Sequence, residues 1–184
     1  FEILKEYRRR GSLIVALSAT PSRVNGMGMG DFYDCMVQAP PKGKLIERGV
    51  LVPCQVKAPA QDCKQEGLVG DIIKHWKLWA ADRQTVVFCK SILHSMHVRD
   101  LFVEAGVRCR HLDGMVDDET RDQIVKDTKE GRNQVITTCG MLTHGWDDKT
   151  MSCCVLARKV SSFVLFKQMV GRILRAAPDK KSGL

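Results

Sequence analysis

The feature that most constrains this chain is a regular alternation between short apolar runs and longer amphipathic stretches. Runs of strand type are Leu13 to Leu17, Cys54 to Lys57, Thr85 to Cys89, Val107 to Leu112, Gln134 to Thr138 and Met151 to Leu156. Between most of them lie stretches of helix length, at 67 to 81, 91 to 105 and 117 to 130. Such alternation predicts right-handed βαβ crossovers and an α/β fold, with helices on both faces of a parallel sheet. Ligands of such sheets gather beyond the carboxyl ends of the strands, so functional residues are expected there.

The stretch from Pro21 to Pro59 interrupts this alternation because its glycines and prolines break any long element. Two short helices are expected within it, near Gly30 to Val37 and Lys42 to Arg48. Since the charged first residues run directly into an apolar run, an upstream part of the protein is also expected. The predicted division is therefore residues 1–22 as the end of an upstream domain, 23–52 as an inter-domain connection and 53–184 as the main domain.

Composition narrows the class of protein. A 184-residue chain with 44% hydrophobic residues can bury a core. No apolar run approaches the roughly 20 residues that span a bilayer, and the first residues form no signal-peptide pattern, so we expect a soluble, intracellular protein without a membrane partner. The eight cysteines form no Cys-x-x-Cys pair and lie mostly in apolar runs, which favours reduced core thiols and predicts no metal site.

The positive charge is concentrated at one end of the chain. The formal net charge is +8, and residues 157 to 184 hold seven basic residues against one acidic residue, Asp179. The net charge therefore favours an anionic partner, and most of the excess positive charge lies in this stretch.

The last basic stretch contains the most specific pattern, the segment from Gln168 to Arg175. At about 100° per residue on a helix, Gln168, Arg172 and Arg175 fall on one face. The opposite face would hold Phe163, Phe166, Val170, Ile173 and Leu174. Two neighbouring guanidinium groups repel each other unless a multiply charged anion such as a triphosphate lies between them. From the spacing alone, a solvated basic face on a surface helix is an equally good interpretation.

In its sequence Gln-x-x-Gly-Arg-x-x-Arg, this segment resembles motif VI of superfamily 2 helicases. Other segments resemble further motifs in the same order: Leu17 to Pro21 motif III, Thr85 to Cys89 motif IV, His111 to Gly114 the turn that follows it, and Thr138 to Asp147 motif V. The resemblance to a DEAD/DEAH-type helicase covers nearly the whole chain and implies a RecA-like C-terminal domain of the P-loop NTPase class. The connection between Gly26 and Leu51 is similar to that of the bacterial and phage branch related to Rad25-type repair helicases.

The resemblance implies an ATP-binding cleft shared with another domain. Arg172 and Arg175 would reach the γ-phosphate of ATP, with Arg175 as the arginine finger. The nucleotide side would also include Gln168, Gly145 and Asp147. The hydroxyls of Ser18 and Thr20 would couple nucleotide state to the inter-domain contact, although capping of a strand end before Pro21 remains an alternative for them.

Nucleic acid would contact two turns, through main-chain N–H groups and hydroxyls. One is the His111 to Gly114 turn, with Asp113, and the other begins at Thr138 and Cys139. At the position where motif V commonly has a phosphate-contacting threonine, this chain has Cys139, with Thr138 one residue earlier. The choice between these two residues is left open.

Two motifs of a complete motor are absent. The chain has no Gly-x-x-x-x-Gly-Lys-Ser/Thr loop and no Asp-Glu pair before Ser18, so the ATP-phosphate grip and the Mg²⁺ ligands are expected in an upstream RecA-like domain. The resemblance thus implies the C-terminal half of an ATP-dependent helicase or translocase that is inactive in isolation. DNA is preferred to RNA on branch resemblance. A restriction-complex translocase and a non-catalytic nucleic-acid-binding module are the alternatives.

Overall fold

The computed structural model describes residues 2–18, 28–30, 32–58, 71–140 and 148–184. The chain divides into two compact units, Phe1–Met36 and Val37–Leu184. In the described part of the chain, no helix is long and apolar enough to cross a membrane.

The second unit contains one sheet of four parallel strands. They are β1 (Thr85–Cys89), β2 (Cys109–Leu112), β3 (Val135–Thr138) and β4 (Cys153–Ala157), and the order across the sheet is β2-β3-β1-β4. At the carboxyl ends, Thr138 pairs with Leu112 on one side and Phe88 on the other. Four of the six predicted strands are therefore confirmed, together with their parallel arrangement.

Four of the helices in the described part of the chain begin at polar capping residues. The helices are α1 (Glu2–Arg9), α2 (Lys42–Glu47), α3 (Ile72–Ala80), α4 (Ile92–Glu104), α5 (Asp118–Lys129) and α6 (Phe163–Gly171). The side chains of Asp71, Ser91, Asp117 and Ser162 each accept a hydrogen bond from the backbone N–H three residues later. These bonds satisfy donors that the first helical turn leaves unpaired, and so fix where α3 to α6 start.

Alternate residues of the buried strand β1 pack on opposite faces of the sheet. Val86 and Phe88 belong to a core with α5, α6 and Met151, whereas Val87 and Cys89 belong to a core with α3 and α4. In the second core Trp76 packs edge-on against Phe102, and its indole N–H donates to the Thr85 hydroxyl at 2.8 Å. The prediction of helices on both faces is confirmed.

Three predicted elements differ. No strand forms over Leu13 to Leu17, where Leu13 and Leu17 are 91% and 97% exposed; a single strand without a neighbour cannot satisfy its backbone hydrogen bonds. Cys54 to Lys57 forms only an isolated bridge, between Cys54 and Gly183. The described residues of Gly30 to Val37 contain no helix, whereas α2 confirms the helix predicted near Lys42.

Candidate functional site

The residues predicted to contact nucleic acid meet at the carboxyl edge of the sheet. His111, Asp113 and Gly114 lie at the end of β2, and Thr138 and Cys139 lie at the end of β3. Because β2 and β3 are neighbours with Leu112 opposite Thr138, the two turns leave the sheet side by side. The structure thus brings together two segments that are 27 residues apart in sequence, from His111 to Thr138.

A chain of side-chain hydrogen bonds fixes the turn after β2. His111 Nδ1 lies 2.8 Å from the buried hydroxyl of Ser95 on α4, and His111 Nε2 lies 3.0 Å from Asp113 Oδ2. Asp113 Oδ1 accepts the backbone N–H of Met115 at 2.8 Å. Burial of Asp113 opposes its ionisation, but the bonds from His111 and Met115 outweigh this effect and lower the carboxyl pKa. Ser95 is a member of this network that the sequence did not suggest.

Thr138 and Cys139, between which the sequence leaves the choice open, differ in burial at the end of β3. Thr138 is fully buried, and its hydroxyl has no hydrogen-bond partner among the described residues. Cys139 is half-buried, and the exposed Gly140 follows with φ of +74°. The side chain of Thr138 is therefore enclosed, whereas that of Cys139 is partly exposed.

The motif VI segment does not form one helical face as predicted. α6 ends at Gly171, Arg172 caps it, and Arg175 lies beyond it in a bridge with Leu51. The helix ends because the chain turns inward to bury Ile173 and Leu174, which are 1% and 7% exposed. This departure corrects the placement of Gln168, Arg172 and Arg175 on a single helix.

The predicted apolar face of α6 also differs. Met169 is buried together with Ile173 and Leu174, but Phe163 is 67% exposed and Phe166 is 36% exposed. The two phenylalanine rings stack on each other at 6.4 Å between centroids. The buried stripe is therefore confined to the last turn of α6 and the residues that follow it.

The backbone on both sides of Arg175 is held by the segment that follows α2. The N–H of Val52 donates to the carbonyl of Leu174 at 2.8 Å, and the N–H of Ala176 donates to the carbonyl of Val50 at 3.4 Å. Arg172, Arg175 and Gln168 are all partly exposed. The backbone around Arg175 is thus fixed, while the side chains of both arginines are partly exposed.

The sequence analysis missed two charged residues, Asp148 and Lys180, and Lys180 lies close enough to Arg175 for the two cations to repel each other. Asp148 is 3% exposed and accepts the backbone N–H and hydroxyl of Thr150. Lys180 is half-buried, and burial, together with repulsion from Arg175, lowers its pKa to about 8 in spite of attraction to Asp148. In the sequence, the adjacent acidic residues Asp147 and Asp148 could have pointed to Asp148, whereas nothing distinguishes Lys180 from an ordinary surface lysine.

Several predicted site residues cannot be placed. Thr20, Gly145 and Asp147 lie outside the described residues, and Ser18 is exposed within the first unit.

Over the described ranges, no group of three or more histidine, cysteine or acidic residues could hold a metal ion. Burial raises the pKa of the thiols of Cys89 and Cys153 to about 11 and that of Cys109 to about 12, which makes them poor nucleophiles and metal ligands at neutral pH.

The family model described as helicase conserved C-terminal domain matches residues 68–177, which include β1 to β4 and α6. The chain belongs to this family. As a superfamily 2 helicase C-terminal domain, it contains the segments that resemble motifs IV, V and VI.

Curated relatives of this helicase domain are longer than the chain. A 51.5 kDa protein of Lactococcus phage (isolate 7-9) is 25% identical over 180 residues, covering 88% of this chain and 40% of the phage protein. The putative mitochondrial ATP-dependent helicase irc3 of Schizosaccharomyces pombe is 32% identical over 125 residues, covering 67% of this chain and 21% of irc3. The ATP-dependent DNA helicase uvsW of Enterobacteria phage T4 is 29% identical, covering 56% of this chain and 21% of uvsW. The chain spans at most 40% of the length of these relatives.

Solved structures confirm the RecA-like fold. The DNA-bound ATP-dependent Type ISP restriction-modification enzyme LlaBIII superposes with a TM-score of 0.61 at 21% identity, covering 77% of this chain and 12% of LlaBIII. The C-terminal domain of the DEAD-box protein Dbp5 superposes with a TM-score of 0.53 at 18% identity, covering 61% of this chain and 65% of the Dbp5 domain.

Proposed function

We propose that this helicase domain is the C-terminal motor half of an ATP-dependent DNA helicase or translocase, and that it supplies an arginine finger and part of the nucleic-acid track. The observation that carries the proposal is the position of Arg172 and Arg175. Both follow the motif VI helix, both are partly exposed, and the backbone around Arg175 is held by Val50 and Val52. An arginine on a held stretch of backbone near the surface can present its guanidinium to a shared phosphate site.

The described residues fit ATP on one side only. Arg172 and Arg175 would offer positive charge to a triphosphate, and Gln168 lies on α6, the helix that ends just before Arg172. Bound ATP would supply the phosphoryl group, and Arg175 would stabilise the charge that develops on it. The described residues do not fit Mg²⁺, because they offer no carboxylate cluster. We therefore assign the Mg²⁺ ligands to an upstream RecA-like half.

Nucleic acid would lie across the turns after β2 and β3. The buried pair His111 and Asp113 would hold the first turn so that Gly114 can approach a phosphate, and Cys139 with Gly140 would provide the second contact. Contacts of this type read the backbone and not the base sequence. DNA is the proposed partner because uvsW is named a DNA helicase and LlaBIII was solved with DNA, whereas Dbp5 has been solved with RNA.

The remaining sequence predictions form part of the same proposal. Residues 1–22 would end the upstream half, with Ser18 and Thr20 coupling nucleotide state to the domain contact, and residues 23–52 would connect the two halves. Gly145 and Asp147 would line the nucleotide side of the cleft. The chain alone would then have no ATPase activity, because the phosphate-binding loop is missing from its sequence.

The experiment compares ATP hydrolysis with strand separation in the protein that includes the upstream half. DNA-stimulated ATPase together with unwinding of a partial duplex is the result expected of a helicase. ATPase with displacement of a third strand from a triplex but without unwinding would instead indicate a translocase, an alternative that the LlaBIII likeness favours. Binding of DNA without any stimulated ATPase would overturn the motor proposal in favour of a binding module.

A further inference from the structure

Lys180 joins two parts of the chain that flank the proposed ATP-binding residues. Its Nζ donates hydrogen bonds to the backbone carbonyls of Lys149, at 3.2 Å, and Met151, at 2.5 Å. Both carbonyls belong to the segment that enters β4, whereas Lys180 lies five residues beyond Arg175. Two main-chain acceptors hold the ammonium group at one place, although an ordinary surface lysine would keep it in water.

Asp148 explains why a positive charge is needed here. Its carboxylate is almost completely buried, and only one oxygen, Oδ1, receives the N–H and hydroxyl of Thr150, at 2.8 Å and 2.6 Å. The other oxygen, Oδ2, has no hydrogen-bond partner among the described residues. A buried carboxylate is costly unless a cation lies nearby, and Lys180 is close enough for the attraction to favour its charged form.

Arg175 belongs to the same cluster. It is close enough to Lys180 for their repulsion to contribute to the lowered pKa of the lysine. Its backbone is already held on one side, since Leu51 bridges to Arg175 and Val52 donates to Leu174. The hydrogen bonds of Lys180 add a connection to the segment that follows motif V.

We propose that Lys180 is a positioning residue, which fixes the segment Asp148 to Met151 against the segment that carries Arg175. The segment that follows motif V then keeps one geometry relative to motif VI, so that the Arg175 guanidinium meets the transferring phosphoryl group at the correct distance. This inference rests on the proposed role of Arg175 in ATP hydrolysis. It adds a residue outside all the helicase motifs found in the sequence.

The two possible roles of Lys180 differ in their kinetic consequences. If Lys180 only stabilises the fold, replacing it lowers the melting temperature and the fraction of folded enzyme, but not kcat per folded molecule. If Lys180 is a positioning residue, replacing it lowers kcat while the KM for ATP changes little, because a misplaced guanidinium loses a contact that is strongest in the transition state.

The test compares three variants in the protein that includes the upstream half. Lys180→Met removes the charge and the donors but keeps an apolar stem, Lys180→Arg keeps charge and donors, and Lys181→Met is the matched control at the neighbouring exposed lysine. We expect Lys180→Met to lower kcat of DNA-stimulated ATP hydrolysis by roughly 10- to 100-fold, with the KM for ATP within about threefold of the parent. Lys180→Arg should recover most of the lost kcat, and Lys181→Met should behave as the parent.

A second measurement needs no activity. Hydrogen exchange on the 184-residue chain should show faster exchange of the Thr150 amide in Lys180→Met, but not in Lys181→Met, because the segment around Asp148 loses its attachment. Unchanged exchange at this amide would overturn the structural part of the inference.

Activity measurements separate this inference from the proposed function. If Arg175→Ala abolishes ATPase but Lys180→Met keeps parental kcat, or loses activity only in proportion to unfolded protein, the positioning role of Lys180 is wrong while the motor proposal stands. If Lys180→Arg fails to recover activity, the two carbonyl bonds are not the cause of the effect, and the inference is again wrong. If Arg175→Ala is fully active, the arginine-finger proposal fails, and the positioning role falls with it.

Discussion

His111 Nε2 lies 3.0 Å from Asp113 Oδ2, and both side chains are largely buried, with 11% and 7% of their surface exposed. The pair therefore fixes the turn after β2, and its side chains offer little surface to a ligand. His111 is in turn bonded to Ser95 on α4, so the position of Gly114 depends on a helix that packs against β1, β2 and β3. A phosphate at this turn would meet a backbone that is already ordered.

The first prediction concerns the carboxyl group of this pair. Because its folded pKa is lowered, Asp113 contributes stability that is present above the ordinary aspartate pKa of about 3.9 and is lost as the pH falls through the folded pKa. Asp113→Asn should cost about 1–3 kcal/mol in the free energy of unfolding at neutral pH. Melting curves between neutral and acidic pH should show the difference from the parent closing at the acidic end, with the exposed Asp122→Asn as control. A stability difference between Asp113→Asn and the parent that does not depend on pH would contradict a stabilising role of the ionised Asp113 carboxylate.

The second prediction concerns Arg175. Arg175→Ala, in the protein that includes the upstream half, should lower ATP turnover by about 10³-fold or more, as expected for loss of an arginine finger, with a smaller effect on nucleotide binding. Lys159→Ala is the control, since Lys159 is an exposed basic residue between β4 and α6. Turnover within about tenfold of the parent, a barrier change under ~1.4 kcal/mol, would show that Arg175 is not the finger.

The third prediction compares two neighbouring threonines of β3. Thr138→Val should raise the free energy of unfolding by about 1 kcal/mol, because it removes a buried hydroxyl without a partner among the described residues. Thr137→Val should instead lower it by a similar amount, because the Thr137 hydroxyl donates to the carbonyl of Ser95 at 2.9 Å. Chemical denaturation of both variants measures the difference. Equal effects would mean that the Thr138 hydroxyl is paired in solution.

The fold was predictable because strand-type and helix-type periodicity are local properties, and for β1 to β4 the local pattern agrees with the final packing. Leu13 to Leu17 has the same pattern but no paired neighbour among the described residues, and periodicity carries no information about neighbours. The end of α6 was mispredicted for a related reason: the helical projection continued past Gly171, whereas pairing with Leu51 and burial of Ile173 redirect the chain. Lys180 was missed because its role depends on contacts with residues about 30 positions earlier, Lys149 and Met151.

The last prediction concerns the nucleic-acid track. The 184-residue chain should bind single strands weakly, with little sequence preference and a steep loss of affinity on adding salt, because its contacts reach only a few phosphates. Cys139→Asp places a negative charge on the accessible end of β3 and should weaken binding to all sequences by about tenfold at low salt, ~1.4 kcal/mol. Cys54→Asp is the matched control, since Cys54 is exposed and precedes the sheet. Thr138→Val and Arg175→Ala should leave binding nearly unchanged, the first because Thr138 is buried and the second because Arg175 is assigned to ATP. Fluorescence anisotropy at two salt concentrations measures all five proteins. If Arg175→Ala alone loses affinity, the basic end of the chain contacts nucleic acid instead of ATP, and the chain acts as a binding module.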